Sequence, residues 1–272
     1  MRTVGLHLRI DRSLTHTAQF AQAMGMRSFQ CFISLHASGK SFLPDYEDIH
    51  AFNQMRSQFD NLFLHASYFI NPASCTRTYH PILEQEIHIA RQLNIPYLIL
   101  HPGMALHKDQ INDGIDALAR VIDTIHNAQD QVSIVIENTA QDARAVGSKF
   151  EHLKLLLERL DDPDRVRFCI DTAHAYAYGY DISNPQAHEA LLDLLDATIG
   201  IDRIVVIHLN DTLKPLASFI DEHTNLGDGL IGLQALQAFV NNKRLSHIPL
   251  ILELPVLSDV EYRGILKLVN NW

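Results

Sequence analysis

The stretch "RVRFCIDTAHAYAYGYD" covers residues 165–181, and its two halves have different characters. Val166 to Ile170 is a short β-branched and apolar run of the kind that forms a buried strand. That run ends in Asp171, and His174 follows three residues later. Taking a carboxylate out of water is costly unless it is hydrogen-bonded, paired or bound to a metal. A structural hydrogen bond would account for this stretch taken alone. What the strand tip is for has to be read from the rest of the chain.

Similar apolar runs recur at residues 3–8, 28–33, 61–66, 97–101, 132–138, 167–171, 204–210 and 249–253. Amphipathic segments of helical period lie between them, such as "DGIDALARVIDTIHNA" at 113–128 and "KFEHLKLLLERL" at 149–160, the latter stopped by "DDPD". Eight β-α repeats over 272 residues predict a (β/α)8 TIM barrel, with a doubly wound open sheet as the alternative that alternation alone leaves open. No GxGxxG follows the first run, so the dinucleotide-binding version has no support. No Pro/Gly/Ser-rich linker or charge block divides the chain, and one domain spanning 1–272 is the expectation.

A hydrophobic content of 47% is enough for a sizeable core. The chain has no signal-peptide pattern and no run of about 18 apolar residues, which predicts a protein with no membrane partner. Cys31, Cys75 and Cys169 form no CxxC and cannot all pair within one chain, so a reducing, cytoplasmic setting is expected. The formal net charge of −10 argues against nucleic-acid binding through general basicity, unless some carboxylates hold divalent metals.

The ends of the runs bear on that exception. The third to eighth end in or beside His65, His101, Glu137, Asp171, His208 and Glu253, with His7 near the end of the first. The steps from His65 onward to His208 are 36, 36, 34 and 37 residues, about one β-α unit each. In a barrel those ends converge on the C-terminal face, where barrel active sites are built. A polar tip explains any one of them, but six in succession point to a metal centre. His174 beyond the sixth run and the Asp221-x-His223 pair in the loop after the seventh raise the set to nine oxygen or nitrogen ligands. With no thiolate and five imidazoles, the set favours zinc, or in part manganese, over magnesium or calcium.

The stretches "LFLHASYFIN", "LILHPG", "IENTA" with "FEHL" after it, "CIDTAHAYAYGYD", "HLND", "IDEH" followed by "LGDGLIG", and "PLILELP" resemble the endonuclease IV family of apurinic/apyrimidinic endonucleases. The resemblance covers residues 61–255 in order. It implies a (β/α)8 barrel with three zinc ions that hydrolyses the phosphodiester 5′ to abasic sites in double-stranded DNA, as in base excision repair. By position it implies His65, His101 and Glu137 on one ion, and Glu137, Asp171, His208 and Glu253 on a second. His174, Asp221 and His223 would hold the third. Glu253 is the candidate for orienting or deprotonating the nucleophile, Glu137 for bridging two ions, and Tyr68 for approaching DNA. A monomer is expected.

The first third of the chain departs from the family. "HLRIDRSLTH" replaces a small glycine-containing loop, "CFISLHASGKSFLP" replaces a polar loop with Gln and Arg, and Glu222 stands where an Arg is usual. Either DNA contact falls to Arg9, Arg12, Lys40, Arg77, Lys108 or Lys214, each of which read alone is a solvated loop charge, or the substrate is different. His7 reads as polar lining of the barrel mouth, Cys31 and Cys169 as packing residues, and His88 and His152 as helix-surface residues. The competing reading is a metal-dependent sugar isomerase or epimerase on a xylose isomerase-like barrel, which needs one or two ions rather than three.

Overall fold

The computed structural model describes residues 2–35, 40–41, 43–74, 80–125, 132–140 and 143–272, with backbone alone at 34–35, 40–41 and 80. Cys75, Arg77 and the side chain of Lys40 lie outside the described residues. The eight apolar runs are strands β1 (Val4–Leu8), β2 (Ser28–Phe32), β3 (Asn61–His65), β4 (Tyr97–Leu100), β5 (Ser133–Glu137), β6 (Val166–Asp171), β7 (Ile204–His208) and β8 (Leu250–Leu252). Each pairs in parallel with the next, and β8 pairs back onto β1 to close a barrel. An added two-residue antiparallel pair, 34–35 with 40–41, projects beyond β2.

Helices return the chain between strands: α1 (Leu14–Ala23), α2 (Tyr46–Met55), α3 (His80–Gln92), α4 (Ile111–Ile125), α5 (Phe150–Arg159), α6 (Thr172–Tyr178), α7 (His188–Thr198), α8 (Leu233–Val240) and α9 (Asp259–Asn270). In α4 the buried residues Ile115, Leu118, Val121, Ile122 and Ile125 recur every three or four positions, one helical stripe turned to the sheet. α9 begins with a capping box in which Ser258 and Glu261 satisfy each other's backbone N–H groups.

Strand alternation divides the core in two. Side chains such as Leu62, Leu64, Ile134 and Ile136 pack outward against the helices. Phe63, Ile99, Val135, Cys169, Val206 and Ile251 point the other way and fill the barrel interior. Burying each of the larger ones contributes about 1.5–3 kcal/mol. Burial also pushes the Cys31 and Cys169 thiols up to about 12, so both stay protonated and act as packing groups.

β1 and β2 approach closely at Gly5, where an added Cβ would stand 2.1 Å from the Ser28 carbonyl oxygen. Gly5→Ala is therefore expected to part the two strands and cost about 1–3 kcal/mol. Thermal denaturation checks this: an unchanged midpoint would show that the closure tolerates a side chain there.

Candidate metal centre

The interior packing layer sets where the polar groups go. Two residues beyond Phe63, Ile99, Val135, Cys169, Val206 and Ile251 stand His65, His101, Glu137, Asp171, His208 and Glu253, the next inward positions on the same six strands. β1 and β2 follow the same rule, with His7 above Gly5 and Gln30 above Ser28. A register shift between Phe168 and Cys169 brings Asp171 level with His208 on β7. Glu137, Asp171 and His208 are fully buried.

Glu137 lies at the centre. Its Oε2 is 3.2 Å from the Nε2 atoms of both His65 and His101, and its Oε1 is 3.2 Å from the Nδ1 atoms of both His174 and His208. Burial alone would push this carboxyl up, but the imidazoles of His208, His101 and His174 override it and hold it well below the usual range. Glu253 is the same case: burial pushes it up, and His208 and His7 hold it well below. Ligand atoms of His65, His101 and Glu137 lie within 4.8 Å of one another, as do those of Glu137, Asp171, His208 and Glu253, and those of Asp171, His174 and His223. Cys169 comes within the same distance of Glu137 and His208, but its protonated thiol belongs to the packing layer.

Asp221 joins the third group. Its Oδ1 is 3.0 Å from His174 Nε2 and 3.5 Å from His223 Nε2. The loop carrying Asp221 and His223 is held from below by Asp211, a buried carboxylate that accepts backbone N–H bonds from Thr212, Gly227, Gly229, Ile231 and Gly232. A Cβ on Gly229 would stand 2.2 Å from Asp211 Oδ1, so the backbone can come this close only as glycine. On the loop's other side the N–H groups of Ala217 and Phe219, both left-handed at φ 58°, donate to the Tyr176 and Ala177 carbonyls of α6. That clamp ties Asp221 to the helix bearing His174, and left-handed backbone at non-glycine residues is strain of the kind kept at functional sites.

The histidine tautomers test whether these residues suit metal ions. His65 Nδ1 is 2.8 Å from the Ala66 carbonyl, and His174 Nδ1 is 2.9 Å from the Asn138 carbonyl. A carbonyl only accepts, so both Nδ1 atoms carry the proton, and in the neutral rings both Nε2 atoms present a lone pair. Those lone pairs face carboxylate oxygens, at Glu137 and at Asp221. The Nε2 atoms of His174 and His223 are buried with no aligned hydrogen-bond partner. Lone pair against carboxylate at about 3 Å repels unless a cation lies between. Burial would push His174 down, yet Asp171, Asp221 and Glu137 around it raise it well above the ordinary histidine range, a sign of the same demand for positive charge. The donor set fits divalent ions.

A family model described as a xylose isomerase-like TIM barrel matches residues 18–265. A probable endonuclease 4 of Thermotoga maritima is 33% identical over 263 residues, covering 94% of this chain and 91% of that protein. The chain belongs to the endonuclease IV family of apurinic/apyrimidinic endonucleases. By that membership it is a phosphodiester hydrolase. A probable endonuclease 4 of Chloroflexus aggregans is also 33% identical, over 96% of this chain and 93% of that one. The crystal structure of endonuclease IV from Thermus thermophilus superposes with a TM-score of 0.83 at 28% identity, covering 99% of each chain.

Against that family background, the side chains that orient the cluster are the ones the sequence did not disclose. The Asn210 amide holds both Asp171 Oδ2 (2.6 Å) and Glu253 Oε2 (3.3 Å), and Asn138 exchanges bonds with the Asp171 backbone. His7 Nδ1 is 3.0 Å from Glu253 Oε1 and 2.7 Å from Gln30 Nε2, so this lining residue stands directly beside a ligand. Glu86 on α3 is fully buried against the Ser67 N–H, and burial pushes its carboxyl up to about 7. Tyr68 is half exposed, its ring 5.4 Å from His65 and 5.2 Å from His101, so it caps both imidazoles on the open side. Burial raises the Tyr68 phenol, which stays protonated.

A cavity of about 540 Å³ opens beside Glu253 and His223, lined by Arg9, Phe20, Phe32 and Tyr262. Of the other expected cations, Lys214 is spent on Glu222 at 2.9 Å, while Arg12 and Lys108 are exposed. Among the described residues, no helix is long and apolar enough to cross a membrane.

Replacing Asp211 by Asn would set an amide N–H among backbone donors. The expected result is a loss of at least about 3 kcal/mol in stability and new protease cleavage within residues 213–231. A variant as stable and as resistant as the parent would show that the loop holds itself in place.

Proposed function

We infer that this protein is a three-zinc endonuclease IV-type enzyme that hydrolyses the phosphodiester 5′ to abasic sites in double-stranded DNA. The observation that carries the reading is the gathering of all nine expected ligand residues at one barrel mouth, with imidazole lone pairs turned toward carboxylates. His65, His101 and Glu137 would hold one ion, Glu137, Asp171, His208 and Glu253 a second, and His174, Asp221 and His223 a third. The sugar isomerase reading has no use for that last group.

When bound, zinc supplies Lewis acidity, stabilising charge on the phosphate and acidifying water near neutral pH. The chain's own groups do the rest. Glu253 has one oxygen, Oε1, held by the Gln30 amide beside His7, and the other, Oε2, turned toward His208 and Asn210, where it can take the proton of an attacking water. Tyr68 presents a protonated phenol beside His65 and His101, suited to donate to a phosphate or sugar oxygen. Three dications would move the formal charge from −10 to about −4 and place that positive charge on the face where DNA lies.

Protein purified without added metal is expected to hold three zinc ions per chain by elemental analysis, and a chelator should abolish incision of an abasic duplex. One ion per chain would favour the isomerase reading instead. Glu253→Gln should retain the fold and most DNA affinity while lowering turnover by about 10² to 10⁴. Turnover equal to the parent would remove Glu253 from the chemistry. If metal-replete protein neither binds nor cuts abasic DNA at low salt, the nuclease assignment fails.

A further inference from the structure

Gln30 is fully buried at the inward position of β2, in the same tier as the candidate ligands, yet it is not a metal-ligand type. Its Nε2 is 2.7 Å from Glu253 Oε1 and 2.7 Å from His7 Nδ1, and its Oε1 is 2.8 Å from His208 Nε2. One amide thus touches two residues of a single ligand group, that of Glu137, Asp171, His208 and Glu253.

The chemistry of the partners fixes its direction. An ionised Glu253 accepts and cannot donate, so the Gln30 atom beside it must be the NH2 group, which also donates to His7 Nδ1 and makes that nitrogen the ring's lone pair. The carbonyl then faces His208, whose Nε2 must carry the proton to donate to it. His208 Nδ1 is left as the lone pair, and it is this atom that lies 3.2 Å from Glu137 Oε1 and 3.5 Å from Glu253 Oε2. Reversing the amide would bring a carbonyl oxygen against a carboxylate at 2.7 Å and leave two donors facing each other at His208 unless its proton moved.

We propose that Gln30 is a positioning residue that transmits the charge of Glu253 to the tautomer of His208, orienting two ligands of the same ion at once. The proposal rests on the metal reading given above. A leucine or methionine in this place would fill the space without a desolvated amide, so the polar group needs a role beyond packing. Partners of this kind fix ligand tautomer and orientation, and losing one usually weakens metal affinity or activity about 10- to 100-fold.

The test compares wild type with Gln30→Met, close in size but unable to accept a hydrogen bond, and with Gln30→Asn, which keeps the amide but is too short to span both partners. Zinc affinity is measured by equilibrium dialysis against chelator-buffered zinc, and the thermal midpoint on metal-free protein. In both variants one of three ions should bind about 10- to 100-fold more weakly while the other two are unchanged. Metal-free Gln30→Met should still unfold in one cooperative transition, at a midpoint lowered only by the lost partner to Glu253 and His208. Nitrogen-15 spectra of zinc-loaded wild type should show His208 protonated at Nε2.

If both variants bind three ions with wild-type affinity, or if His208 carries its proton at Nδ1, the proposal is overturned while the metal reading stands. A metal-free midpoint that falls along with affinity for all three ions would make Gln30 a folding residue instead, which also overturns it. Wild type that binds no zinc at all removes the metal reading, and this proposal falls with it.

Discussion

Glu137 cannot remain ionised at zero exposure without positive charge on several sides, and the fold supplies four imidazoles to its two oxygens. That demand reaches outward through the structure. Three of the imidazoles sit at the ends of different strands, so β3, β4 and β7 must keep their register against β5 for the oxygens to be shared. The fourth, His174, comes from α6, whose first turn is capped by the Asp171 side chain accepting from the His174 N–H. A candidate ligand therefore also starts the helix that carries the next one. The carboxylate at the centre makes barrel closure and site assembly one event.

The strand period explains why the chemistry sits where it does. Each polar ligand on the barrel is one inward step beyond an apolar residue of the interior layer, and water reaches the mouth only above that layer. The packing layer below is apolar apart from the buried Ser28 hydroxyl and the Cys169 thiol, which burial holds protonated. Low polarity beneath and carboxylates above make a divalent cation the natural occupant of the space between.

This also decides what could be read from the sequence. The eight strands were legible because each is a short apolar run, six of them ending in or beside an imidazole or carboxylate. Their ends differ by a residue or two: the seventh run reads to Asn210, while β7 stops at His208 because the chain turns where Asn210 leaves the sheet to hold Asp171 and Glu253. Six of the nine candidate ligands stood out at successive strand tips, while His174 and the Asp221-x-His223 pair stood out only beside them, from a helix start and a loop. Gln30 was not, since glutamine is no ligand type and the second run reads past it to Ile33; counting inward positions from Ser28 would have found it. Glu86 had a signal of another kind, a charge on the stripe of Leu83, Ile87 and Ala90 that α3 buries. Asp211 had none, because its five backbone donors come from a loop that folds back over it.

An acidic protein in a family that acts on DNA poses a charge problem, and the structure locates it. Lys214, which might have faced a phosphate from the loop of Asp221 and His223, is neutralised by Glu222, while Phe219 and Ile220 on the same loop are 44% and 47% exposed. Arg9 lines the cavity beside Glu253 and His223, and Arg12 and Lys108 are exposed. Among the described residues, counterion release by Lys and Arg, the usual source of affinity for a phosphate backbone, is thus left to a few side chains. What remains is the positive charge the ligand cluster itself demands. In the proposed three-zinc enzyme metal loading and nucleic-acid affinity would be coupled, since a metal-free protein presents four carboxylates to a polyanion.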